Sequence, residues 1–249
     1  MKLKDKVALI TGAGGGYGEG IAHYFASEGA KVLVVDIRTD AAEKVAGAIG
    51  DAARAFTADV TKSDDTKAMI DAAVKHFGKL DIIVNNAGTT HKNQSMLNVD
   101  EATFDKVYAV NVKSLYHAAM HGVPVLEKNG GGVIINIAST AGVRPRPGLV
   151  WYNGSKGAAI AITKSMAAEL AEKKIRVCAI NPVMGETGLT DQFLPGDDTP
   201  ETRAKVIAGI PLGRLSLPID IAKACGFLAS DEADFITGVC LEVDGGRCI

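Results

Sequence analysis

Tyr152 and Lys156 stand four residues apart in a strongly helical run that begins Tyr152-Asn153-Gly154-Ser155-Lys156. In a helix, that spacing puts both side chains on one face. A free tyrosine titrates near ~10 and is a poor acid–base group at neutral pH. A lysine ammonium one turn away favours the phenolate and lowers that value. Such a pair can exchange a proton with a substrate oxygen near neutrality. Taken alone, the spacing is more often a solvated helix face, so its meaning depends on what the rest of the chain builds around it.

The elements that must position the pair follow from hydrophobic patterning. Short, nearly continuous apolar runs at 7–10, 31–36, 54–58, 80–84, 133–138, 175–180 and 239–243 read as buried strands. Helical patterns fall between them at 16–27, 41–49, 64–77, 100–127, 151–173 and 218–230. Seven apolar strands alternating with helices predict an α/β fold: a doubly wound, Rossmann-type parallel sheet with helices on both faces. No linker or repeat interrupts it, so residues 1–249 read as one domain. Residues 183–200, with Gly185, Gly188, Pro195, Gly196 and Pro200, form the least regular segment and read as a mobile substrate loop.

Ligands of such sheets bind outside the carboxyl ends of the strands. The residues predicted there are small or polar: Gly12, Asp36, Asp59, Asn85, Ser139 and Asn181. The first turn, Thr11 to Gly18, carries Gly12, Gly14, Gly15, Gly16 and Gly18 around Tyr17, between a strand and a helix. Glycines there let the backbone approach a pyrophosphate at the helix N-terminus. The spacing is neither the commonest dinucleotide fingerprint nor a P-loop. Asp36 closes the second strand, where its carboxylate can accept from both ribose hydroxyls and repel a 2′-phosphate. Ile37 follows and the turn holds no Arg or Lys, so NAD is expected over NADP, with Arg38 the one nearby cation. Asp59 and Val60 are placed to meet the adenine, although Asp59 reads equally as a turn or helix-capping residue.

These motifs together resemble the short-chain dehydrogenase/reductase family across essentially the whole chain. They are Thr-Gly-x-x-x-Gly-x-Gly at 11–18, Asn-Asn-Ala-Gly at 85–88, Asn111, Ser139, Tyr-x-x-x-Lys at 152–156, Asn181-Pro182 and Asp244-Gly245-Gly246. The resemblance implies hydride transfer between a secondary alcohol or carbonyl carbon and a nicotinamide. It assigns Tyr152 as general acid–base and Ser139 as the group that holds the substrate oxygen. Lys156 is to lower the Tyr152 pKa and bind the nicotinamide ribose. Asn111 is to kink its helix and hold a relay water, a non-structural role that suits an asparagine in mid-helix. Asn86, Ala87 and Gly88 line the ribose, and Pro182, Val183, Met184 and Thr187 pack on the nicotinamide, with Thr187 bonding its carboxamide. Val183 departs from the glycine usual after Asn-Pro, which is expected either to narrow the pocket or to suit the backbone as it stands. The alternatives are a 3-oxoacyl-[acyl-carrier-protein] reductase using NADPH and a non-catalytic dinucleotide-binding regulator.

Other features carry less. His117 and His121 are spaced as zinc-binding pairs are, but the segment lacks the glutamate of H-E-x-x-H, and no metal is expected. Arg144 and Arg146 read first as solvent-facing or subunit-contacting arginines on a proline-stiffened loop, and second as ligands for an anionic substrate group. Apolar residues run almost all round the helix at 156–170, so its second side is expected to meet a partner subunit. Family resemblance makes that a homotetramer. The net charge of −2 favours neither nucleic acid nor an anionic membrane surface. The chain's start shows no apolar leader, no run reaches ~18 apolar residues, and the four cysteines show no C-x-x-C pair. The expectation is a cytoplasmic enzyme acting on a small alcohol or ketone.

Overall fold

The computed structural model describes residues 1–249. The seven strands are β1 (Val7–Thr11), β2 (Lys31–Asp36), β3 (Ala53–Thr57), β4 (Ile82–Asn85), β5 (Gly132–Ile137), β6 (Ile175–Pro182) and β7 (Cys240–Val243). They form one parallel sheet in the order β3-β2-β1-β4-β5-β6-β7. Each strand feeds two cores, because successive side chains point to opposite faces. Ala8 and Ile10 of β1, with Val32 and Val34 of β2, pack under α1 (Gly16–Ser27), α2 (Thr39–Ile49) and α9 (Pro218–Ala229). Val7, Leu9, Leu33 and Val35 face α3 (Ser63–Phe77), α5 (Ser114–Lys128) and α6 (Val150–Leu170). Burial on both faces explains why the strands read as continuous apolar runs and not as alternating ones.

After β3 the chain returns to the middle of the sheet, so β1 and β4 are neighbours wound in opposite directions. A crevice opens at the carboxyl ends of strands at such a switch point. Here it is stitched by Thr11 and Asn86. The Thr11 hydroxyl accepts from the backbone N–H of Asn86 at 3.1 Å and of Ala87 at 3.0 Å. The Asn86 amide donates to the carbonyls of Thr11 at 2.8 Å and Gly12 at 3.1 Å.

Two stretches depart from the sequence-based expectation. The helix expected over 100–127 is α4 (Glu101–Tyr108), a wide π turn (Ala109–Lys113) and then α5, with Pro124 inside it. The segment read as a loop contains a one-turn helix, α7 (Thr190–Phe193), and is followed by α8 (Pro200–Ile207). Alpha 8 starts with Thr199 as its cap, accepting from Thr202 N–H at 3.2 Å, and with Pro200 at its first position. Both helices are too short for an apolar period to stand out among Gly and Pro.

Candidate active site

The cofactor end is built from backbone. Gly12 adopts φ +62°, and a side chain there would lie 2.9 Å from the Ala87 Cα. Gly18 sits deeper in the turn, where a side chain would run into the Gly12 carbonyl and the Asn86 amide. Only glycine lets α1 start this close to the switch point. The N-terminus of α1 has no side-chain cap, so its first N–H groups are free to meet phosphate. Asp36 is 7% exposed at the tip of β2. It accepts from Gly14 N–H at 2.9 Å and from Arg38 N–H at 3.0 Å. Arg38 Nε lies 3.5 Å from the same carboxylate, so the one cation at this end is paired. These groups fit the adenosine and pyrophosphate of a dinucleotide.

The other end is made of side chains. Tyr152, Lys156 and Ser139 are all buried at the tip of β5 and the first turns of α6. The Lys156 ammonium lies 5.9 Å from the centre of the Tyr152 ring and donates to the Ile137 carbonyl at 2.8 Å. Burial pulls the Lys156 pKa down to about 8. Burial pushes the Tyr152 phenol up, while the Ser139 hydroxyl and the Arg146 charge pull it back part of the way. Lys156 stands close to the Tyr152 ring, and Arg146 is a second cation that favours the phenolate. A lysine this desolvated carries its charge at a cost, and its closest oxygen is a carbonyl.

Asn111 belongs to the π turn and is buried. Its carbonyl oxygen accepts from Thr89 N–H at 2.9 Å; its amide donates to the Thr89 carbonyl and to Ser155 Oγ, each at 2.9 Å. A structural job therefore falls to this side chain. The π turn interrupts the helix at Asn111, and π turns often mark functional positions. Gly88 lies between the two groups: a side chain there would be 3.5 Å from Lys156 Nζ and 3.6 Å from Asn111 Oδ1.

One cavity of about 590 Å³ joins both ends. Gly12, Gly15, Gly16, Tyr17, Asp36, Asp59, Val60, Asn86, Ala87 and Gly88 line it, as do Ser139, Tyr152, Lys156, Pro182, Val183, Met184 and Thr187. A family model described as enoyl-(acyl carrier protein) reductase matches residues 12–247. The chain is 48% identical to 4-formylbenzenesulfonate dehydrogenase TsaC1/TsaC2 of Comamonas testosteroni, over 100% of both proteins. The chain belongs to the short-chain dehydrogenase/reductase family. It is 41% identical to 7alpha-hydroxysteroid dehydrogenase of Escherichia coli (strain K12), over 99% of this chain and 95% of that protein. It also matches the crystal structure of 3-ketoacyl-(acyl-carrier-protein) reductase from Brucella melitensis complexed with NADH. There the TM-score is 0.94 at 49% identity, over 99% of this chain and 100% of that one. As a member of the family, this chain is a nicotinamide-dependent oxidoreductase acting on CH–OH or carbonyl groups.

Within this family member, several residues do other than the sequence suggested. Gly18 and Asn111 lie behind the cavity wall and do not line it. Tyr17 spends its hydroxyl on Ser216 Oγ at 2.6 Å and the Val183 carbonyl at 3.2 Å, tying the first turn to the segment after β6. Thr187 Oγ1 accepts from Leu189 N–H at 3.3 Å. Asp59 lines the cavity, but its Oδ1 accepts from Thr61 N–H at 3.0 Å and Thr61 Oγ1 at 2.7 Å, the turn reading. Burial raises its pKa, and these bonds with Lys62 outweigh that and lower it. Val183 has no left-handed backbone and packs with Met184, Leu194, Ile210 and Leu215. The backbone therefore suits it. His117 hydrogen-bonds the Val60 carbonyl at 3.2 Å, and His121 hydrogen-bonds Ser63 Oγ at 2.8 Å.

Two further lining residues were not singled out as cavity residues by the sequence. Phe193 packs edge-on against Tyr152, with ring centres 5.1 Å apart. Arg146, read first as a surface arginine, faces the same cavity as Tyr152, whereas Arg144 turns outward and donates to the Arg247 carbonyl at 2.5 Å. The Pro-Arg-Pro-Gly pattern announced a stiff loop but not which arginine points inward.

Proposed function

We propose that this protein is an NAD(H)-dependent dehydrogenase or carbonyl reductase for a small secondary alcohol, ketone or aldehyde, with Tyr152 as its general acid–base. The observation that carries the reading is the single cavity with Asp36 at one end and Ser139, Tyr152 and Lys156 at the other. Asp36 would hold the adenosine ribose through hydrogen bonds to its carboxylate. A 2′-phosphate would meet that negative charge with Arg38 already engaged, which supports NAD over NADP. The turn from Gly12 to Gly16 and the N-terminus of α1 would hold the pyrophosphate.

A bound oxidised nicotinamide would supply the acceptor for a hydride from the alcohol carbon. Tyr152 Oη takes the hydroxyl proton during oxidation and returns it during reduction. Ser139 Oγ donates to the substrate oxygen and holds it beside Tyr152. Lys156 donates to the nicotinamide ribose, and Gly88, with no side chain, leaves space between it and Asn111 for a relay water. Thr187, opposite Gly16 across the turn, would meet the carboxamide end. Residues 183–200 would close over the substrate.

A panel of secondary alcohols, aromatic aldehydes and 3-oxoacyl thioesters, each with both cofactor pairs, tests the reading. NAD(H) should be preferred, and Tyr152→Phe should lower kcat by about 10²- to 10⁴-fold, the worth of a general acid–base, while NADH still binds. Turnover retained by Tyr152→Phe would falsify the mechanism. A second reading is 3-oxoacyl-[acyl-carrier-protein] reductase, favoured by the name of the Brucella melitensis relative; the thioester arm separates the two.

No helix is long and apolar enough to cross a membrane, and the four cysteines are free, which supports a cytoplasmic, single-domain enzyme. Tyr116 and Met120, 60% and 54% exposed one turn apart on α5, support burial of this face in a homotetramer.

A further inference from the structure

A second cavity of about 630 Å³ adjoins the active-site cavity, and Arg146 and Phe193 line both. Three cations face it, Arg146, Lys205 and Arg247, and no aspartate or glutamate does. Asn93 and Ser95 add polar groups that can donate hydrogen bonds. None of the three cations is among the chain's ion pairs. Arg146 is the sharpest case. It is half-buried, yet its guanidinium has no hydrogen-bond acceptor in the chain. Only its backbone carbonyl is used, accepting from Asn153 at 2.8 Å. Burial and Arg247 both lower the Arg146 pKa, against the opposing pull of Tyr152. A half-buried cation is ordinarily paired. The main chain that carries it is anchored: Gly148, two residues on, accepts from Gln94 N–H at 3.0 Å. The backbone of Arg247 is anchored as well, its N–H donating to the Asp244 carbonyl at 3.2 Å.

We propose that this second cavity is a subsite for an oxyanion carried by the substrate, a carboxylate or sulfonate, with Arg146 as its principal ligand. The proposal rests on Tyr152 being the reacting end. The substrate carbonyl lies at Tyr152, its apolar body runs along Phe193, and its anionic end reaches Arg146. Lys205 and Arg247 raise the local positive potential. A guanidinium matches a planar carboxylate or a sulfonate face with two parallel donors. A neutral substrate would leave that guanidinium desolvated and unpaired, so the site discriminates against it.

The test compares 4-formylbenzoate and 4-formylbenzenesulfonate with the neutral 4-methylbenzaldehyde, by NADH-dependent turnover and by calorimetric binding. Wild type, Arg146→Met and Arg146→Lys are used, with thermal melts to establish folding. The preference for anionic over neutral aldehyde, as a ratio of kcat/KM, should fall about ten- to a hundredfold in Arg146→Met, the worth of a charge-assisted hydrogen bond. The fall should appear mainly in KM, and Arg146→Lys should recover part of it. In calorimetry, anion binding should weaken in parallel. Equal loss for anionic and neutral aldehydes, or a wild type with no anion preference in either measurement, overturns the proposal. Arg146-dependent anion binding without turnover of any aldehyde upholds the subsite and sinks the dehydrogenase reading instead.

Discussion

Two cations beside one phenol set the chemistry at the residue scale. Burial raises the Tyr152 pKa, and Arg146 is a counterweight. Oxidation needs the phenolate, so its rate rises with pH through this ionisation. Removing the Arg146 charge should move the midpoint of the pH profile for alcohol oxidation upward. Arg146→Lys should move it less; an unmoved midpoint in Arg146→Met rules out the coupling. Lys156 makes a stability prediction of opposite character. Its folded pKa of about 8 lies below the ordinary 10.5. Below pH 8 both folded and unfolded states hold the proton, and the fold bears the full cost of a buried charge. Between pH 8 and 10.5 the folded side chain is neutral while the unfolded one keeps its proton. Stability relative to Lys156→Met should therefore rise with pH across that window. Melting temperatures of cofactor-free wild type and variant, taken in steps from pH 7 to 10.5, check the sign.

Among the elements, the π turn does two jobs at once. It widens the helix at Asn111 and lets one side chain satisfy both backbone groups of Thr89 and the Ser155 hydroxyl. Thr89 in turn lines the cavity. Replacing Asn111 by Ala strips partners from part-buried backbone at Thr89, which should cost about 0.5–1.5 kcal/mol for each hydrogen bond lost. Denaturant unfolding should show that loss without cofactor, and a variant as stable as wild type would refute the structural role. The first turn makes a complementary point. Gly18→Ala should disturb cofactor binding although Gly18 does not line the cavity, because the added methyl meets the Gly12 carbonyl and the Asn86 amide.

For the whole molecule, the topology brings the cofactor end and the reacting end together. The crossover after β3 places β1 beside β4, so Gly12 and Asn86 meet across 74 residues. Strands β5 and β6 carry Ser139 and Pro182 to the same edge. Cofactor choice is a property of this edge: Asp36→Ala should lower the NAD-over-NADP ratio of kcat/KM by about tenfold or more, the loss of hydrogen bonds to a carboxylate. The proposed homotetramer would assemble through the outer helices. Tyr116→Glu with Met120→Glu should convert a tetramer to smaller species in light scattering, and an unchanged mass would remove α5 from the interface.

Much of this was legible in residues alone. Strand and helix order follow from hydrophobic period, because a strand buried on both faces has to be apolar throughout. The small and polar residues at strand ends announced the ligand edge, because a parallel sheet puts all its carboxyl ends on one side. Ser139 and Asp36 were visible for that reason, and Tyr152 and Lys156 through their helical spacing and the family motif. The inward turn of Arg146, the contact of Phe193 with Tyr152 and the partners of Asn111 were not. Arg144 and Arg146 are chemically identical two residues apart, and only the folded path of their loop turns one inward. Phe193 reaches Tyr152 from 41 residues away, through a one-turn helix too short to leave a period. The sequence by itself determined the fold, through hydrophobic patterning, and the reaction type, through the motifs it shares with the short-chain dehydrogenase/reductase family. The tertiary structure decided which of the two loop arginines faces the phenol's cavity, because that depends on distances between segments that no local pattern encodes.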